Sequence, residues 1–176
     1  MPENRKEATP IEVAALMMDA VCTPSDREEE ALRELAAHLQ VPLETIQSEL
    51  LYLRAFAVDF ATSVTMPESP EKNAVVERYN GHWGLIGKEA GEGVLEDLEL
   101  RLRAYAEAVS SSAPNPEGLR GLVGKVFARI CAAAVNLPGH ASGEELAFLG
   151  GAMFAALFDE MADLFDSVDI VLPNPS

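Results

Sequence analysis

Four times in this chain a proline directly follows a side chain able to cap a helix: Thr9-Pro10, Thr23-Pro24, Ser69-Pro70 and Asn115-Pro116. A cap oxygen accepts from the free N–H groups of a first helical turn. Proline suits the position after it, where its missing N–H has no partner to lose. Thr9 precedes Glu12 by three residues, and Ser142 precedes Glu145 by three, the spacing of a capping box. Val41-Pro42 has no cap oxygen but still sets a proline ahead of a periodic apolar run.

Between these marks the apolar period is helical. Leu43, Ile46, Leu50, Leu53, Ala57, Phe60 and Val64 step by three and four, as do Leu95, Leu98, Leu102, Tyr105 and Val109. Leu146, Leu149, Met153, Leu157, Met161 and Leu164 keep nearly the same rhythm. The spacing predicts helices over 10–22, 24–39, 42–66, 70–90, 92–112, 116–136 and 143–167 and no sheet. The expected fold is all-α: one domain over 9–167, a bundle of six or seven helices around a central apolar helix at about 42–66. A disordered segment over 1–8 and an irregular tail over 168–176 flank it. A chain of 176 residues with 48% apolar and 24% charged side chains has the balance of an ordinary globular domain.

The stretch NGHWGLIGKEAG, residues 80–91, interrupts this regularity. Residues 81–88 read GHWGLIGK and residues 118–125 read GLRGLVGK, so both follow G-x-x-G-L-[Ile/Val]-G-Lys. Glycines three apart share roughly one helical face. Inside a helix each costs about 1 kcal/mol relative to alanine, so the six in these stretches cost on the order of 6 kcal/mol. Three arrangements would offset or avoid that cost: close approach of a second helix, with Gly150-Gly151 as a third bare strip; a cavity walled by the missing side chains; or turns in place of helix. A phosphate loop is excluded. The glycine spacing is wrong, Glu89 and Val126 stand where Ser or Thr is needed, and no strand precedes.

Charge narrows the partners. With 29 acidic and 13 basic residues the net charge is −16, which repels nucleic acid and anionic membrane surfaces. The longest apolar stretches are too short to span a bilayer. Glu12 and Asp19 interrupt the first apolar run, against a secretory leader. Cys22 and Cys131 form no CxxC pair and read as small buried apolar residues, which places the chain in the cytoplasm.

Chemistry-bearing patterns are few. Arg54 and Asp59 lie about 140° apart on the most apolar helix; if buried, each needs a partner on another helix, and otherwise they face a pocket. Asp97–Arg101 and Glu99–Arg103 are four apart with the acid first, the ordinary support of an exposed helix face. Tyr79, His82 and Trp83 cluster within about one turn, either as a ligand-binding surface or with Trp83 plugging the core. Glu34 and His38 have a chelating spacing that also arises by chance on a solvated helix. HExxH, paired ExxH and Cys/His patterns are absent, so no metal or other cofactor is expected. Asp159, Asp163 and Asp166 share a face of the last helix. Asp159-Glu160-x-x-Asp163 resembles the acidic Mg²⁺ motif of isoprenoid synthases over five residues, but the chain is far shorter and lacks a second such motif. The expectation is a non-enzymatic interaction or assembly module that binds a protein partner or itself. The alternatives are a small-ligand binder or enzyme with an interhelical pocket near Trp83, using Arg54, Asp59, Tyr79 and His82, and a divalent-metal enzyme using the three aspartates.

Overall fold

A computed structural model describes residues 5–111, 116–135 and 140–173. The elements run β1 (Lys6–Ala8), α1 (Pro10–Cys22), α2 (Asp26–Leu39), α3 (Leu43–Thr65), α4 (Pro70–Ala90), α5 (Glu92–Ser110), α6 (Pro116–Val135), α7 (His140–Ser167) and β2 (Val168–Ile170). The architecture is an all-α bundle of seven helices among the described residues, with α3 at its centre. It packs against α1, α2, α5, α6 and α7, while α4 bridges α1 and α5 and α6 pairs along α7. A helix whose middle, from Tyr52 to Val58, is buried on every side fits only a central position. Phe56 of α3 stacks on Tyr105 at 5.0 Å and on Phe154 at 5.9 Å, joining α3, α5 and α7 in one aromatic core.

Two helix starts, those of α1 and α4, are where the capping residues put them. Thr9 and Glu12 close a capping box on α1, and the Ser69 hydroxyl accepts from Lys72 N–H on α4. Thr23-Pro24 does not open α2. Ser25 caps it in a box with Glu28, and Thr23 instead ends α1, its hydroxyl donating to Asp19 at 3.0 Å. A serine with a glutamate three residues on satisfies two N–H groups, and so outcompetes a threonine-proline pair that satisfies fewer. Helix α7 starts at His140, which sets Ser142 inside its first turn. Asn115 lies outside the described residues.

The ends of the chain depart from expectation. Residues 6–8 are not disordered and 168–170 are not irregular: they pair as a two-stranded parallel sheet, Lys6 opposite Val168 and Ala8 opposite Ile170. Val171 N–H donates to the Ala8 carbonyl at 2.9 Å, and Arg5 pairs with Asp169 at 3.5 Å. Three-residue strands are too short to show a period, and their partners lie 162 positions apart in register.

Both glycine octapeptides are helical, and the reason differs between them. At Gly124 a Cβ would strike the Ala147 carbonyl. At Gly151 it would meet the Arg120 carbonyl oxygen at 2.6 Å, and at Gly150 the Phe127 ring at 2.5 Å. The backbones of α6 and α7 therefore touch where side chains would hold them apart. In the first octapeptide only Gly87 is packed, against Leu95, while Gly81 and Gly84 face open space, as does Gly121 of the second. Gly91, at φ +103°, ends α4 and begins α5 at one residue, a conformation that side chains rarely adopt.

No helix among the described residues is long and apolar enough to cross a membrane.

Candidate functional site

Arg54 is buried, and each of its three nitrogens is engaged by the fold. Its Nε donates to the Ala20 and Val21 carbonyls at 3.0 and 3.1 Å. One terminal nitrogen donates to the carbonyls of Ala20 and Thr23, and the other meets Glu28 Oε1 at 2.6 Å. Glu28 Oε2 accepts from Ser25 N–H at 2.7 Å. One guanidinium thus satisfies the last carbonyls of α1 and ties them to the first turn of α2. Lys72 plays the same part at the end of α3, donating to the Met66 carbonyl at 3.1 Å and pairing with Glu68 at 2.6 Å. Arg101 does not support an exposed face with Asp97. It makes a two-pronged bridge to buried Glu49, both contacts at 2.7 Å, which clamps α5 to α3; Glu99–Arg103 does form, at 2.9 Å. Glu49 was legible, since a charge among Ile46, Leu50 and Leu53 stands on the apolar stripe and needs a partner.

Asp59 stays in contact with water and makes no ion pair with Arg54 or, among the described residues, with any other base. The protein mass around it nevertheless removes enough water to hold its carboxyl above the usual carboxylate range. A group whose pKa rises on folding favours the native state at pH values below its unfolded pKa, and that contribution is lost as pH rises through the folded pKa. Asp59→Asn is therefore expected to raise the melting temperature at pH 7 by about 1–2 °C, the scale of a surface change, and to leave it unchanged near pH 3. Thermal unfolding followed by circular dichroism at the two pH values checks this.

Trp83 is core, 5% exposed, with the Tyr79 ring edge-on at 6.5 Å. Burial pushes the Tyr79 phenol far above its usual range, against a smaller opposing effect of the Trp83 side chain. His82 is half-buried on the same helix. The structure thus brings Tyr79 and Trp83 together, but as packing. Cys131 is buried and its thiol is pushed up to about 12, mainly by loss of water; Cys22 is exposed, not buried as its apolar neighbours suggested, because it ends α1. Asp159, Asp163 and Asp166 are exposed along α7, and among the described residues no three His, Cys, Asp or Glu side chains are arranged to hold a metal ion.

Three concavities stand out among the described residues. One of about 440 Å³ lies at the α1–α2–α3 corner beside Arg54, whose three nitrogens already have partners. One of about 380 Å³ lies between α1 and α7, lined by Leu16, Ala20, Met161 and Leu164 together with the acids Asp19, Glu160 and Asp163. The largest of the three, about 680 Å³, is a groove between α2 and α7. Ala31, Leu35, Phe148 and Leu149 form its apolar floor, and Glu34, His38, Glu144 and Glu145 its rim. His38 Nε2 lies 3.6 Å from Glu145 Oε1 across the groove, and Arg120 sits 5.5 Å from the centre of the Phe148 ring.

Phe148 is 72% exposed, the most exposed of the large apolar side chains among the described residues. The sequence carried its signal: Phe148 lies about 100° from Leu149 and 160° from Leu146 on the helix, off the apolar stripe of α7. Comparison with family models, with curated proteins and with solved structures finds no match to this chain.

Proposed function

We propose that this chain is a non-enzymatic helical interaction module that seats a helix of another polypeptide in the groove between α2 and α7. The observation that carries the reading is Phe148: an aromatic ring held in the open, on a continuous apolar floor, within a rim of ionisable side chains. Exposed aromatic anchors in apolar grooves are where partner helices gain most of their binding energy. A small-molecule pocket encloses its lining, whereas a side chain left 72% exposed lines a trough. The buried polar groups support the same reading. Arg54, Glu49 and Lys72 are consumed in joining helices, which leaves little to act on a substrate. The two unbridged cysteines fit a reducing compartment, and we place the module in the cytoplasm.

The test uses isotope-labelled protein and an uncharged helix-forming peptide with one apolar face. Amide shifts are expected on α2 and α7 around Leu35 and Phe148, and are expected to vanish in Phe148→Ser, which should melt within about 2 °C of the wild type. Shifts that survive the substitution would show that Phe148 is no anchor, and a variant that fails to fold would place it in the core; either ends the reading.

A further inference from the structure

We infer that the partner helix is cationic, with one short apolar stripe flanked by Lys or Arg on both sides. The inference rests on the groove being a polypeptide-binding surface and adds the chemistry of its occupant.

Three carboxylates stand on the rim, Glu34 on the α2 side and Glu144 and Glu145 on the α7 side. Of the bases beside them, His38 faces Glu145 at 3.6 Å and the Arg120 guanidinium lies 5.5 Å from the centre of the Phe148 ring, so carboxylates outnumber bases at the groove. The net charge of −16 adds a long-range field of the same sign. An apolar floor between two acidic banks is complementary to a helix that carries bases on both shoulders of its apolar stripe. Its length is also bounded. From Ala31 to His38 the α2 bank runs about 10 Å, roughly two helical turns, enough for one pair of anchors spaced i, i+3 or i, i+4. A second copy of this chain fits poorly, because a two-fold contact through the groove would bring the same three carboxylates of each copy face to face.

The test compares three peptides with one shared apolar face: one flanked by lysines, one by glutamates, and one with the lysines kept but the apolar residues scattered around the helix. Isothermal titration is run at 50 and 500 mM salt against the wild type, Phe148→Ser and a triple variant, Glu34→Gln/Glu144→Gln/Glu145→Gln. The lysine-flanked peptide is expected to bind at least about tenfold more tightly than the glutamate-flanked one at low salt. The gap should narrow at high salt and in the triple variant. The scattered peptide should lose most of the binding, as should Phe148→Ser. Equal binding of the lysine- and glutamate-flanked peptides, lost in Phe148→Ser, would overturn the charge inference and leave the groove standing. Binding indifferent to Phe148→Ser would overturn both. Sedimentation velocity adds one more outcome: a concentration-dependent dimer abolished by Phe148→Ser would make the occupant a second copy and overturn the cationic partner.

Discussion

Arg54→Leu is expected to cost the fold about 3–5 kcal/mol, the usual loss when one partner of a buried, hydrogen-bonded ion pair is removed. The leucine fills most of the volume but leaves the carbonyls of Ala20, Val21 and Thr23 without their donor and Glu28, whose side chain is 20% exposed, without its counter-charge. Domains of this kind have a net stability of about 5–15 kcal/mol, so a loss of this size removes a large fraction of it. Urea unfolding reads the effect as a lower midpoint. Arg54→Lys should fall between the two proteins, because it keeps the charge and gives up the planar fork that reaches three carbonyls and a carboxylate together. A leucine variant within about 1 kcal/mol of the wild type would show that the corner between α1 and α2 does not depend on this cap.

The second large effect is a pair of opposite signs three residues apart. Gly124→Ala is expected to destabilise by about 1–3 kcal/mol or more, because the new methyl group meets the Ala147 carbonyl and forces α6 away from α7. Gly121→Ala meets nothing within 4 Å, and should stabilise by about 0.5–1 kcal/mol through helix propensity alone. At this chain length each kcal/mol moves the melting temperature by about 2–4 °C, so thermal scans of the two variants should diverge from the wild type in opposite directions. Both variants melting higher than the wild type would mean that α6 and α7 do not approach as closely as their glycines allow.

The contrast between these glycines shows what a sequence reveals and what it withholds. Helix boundaries are local facts. A proline beside a capping oxygen, or an apolar step of three and four, is visible within a few residues, and α1, α4 and the core of α3 lie where those marks place them. Gly121 and Gly124 are equivalent in the local pattern G-x-x-G, and only the approach of α7 separates the open one from the packed one. Glu49 and Arg101 are 52 residues apart, so nothing near either names the other. The groove is less local still, because its banks come from helices about a hundred residues apart in the chain. Phe148 could be seen to lie off its helix's apolar stripe, but that Leu35 and Ala31 would extend the patch became visible only with α2 beside it. The aspartates of α7 and the Tyr79–Trp83 pair suggested chemistry in the sequence; the structure sets the first on an exposed acidic face, with Asp163 beside the α1–α7 concavity, and the second in the packed core.

The short pairing of β1 with β2 has a mechanical meaning. In a parallel ladder the first strand is entered at the end opposite to that from which the second is left, here at Lys6 and Ile170. Tension drawing the two chain ends apart would slide the strands past one another and load their hydrogen bonds together instead of unzipping them singly, so force reaches the helices only after that latch has sheared.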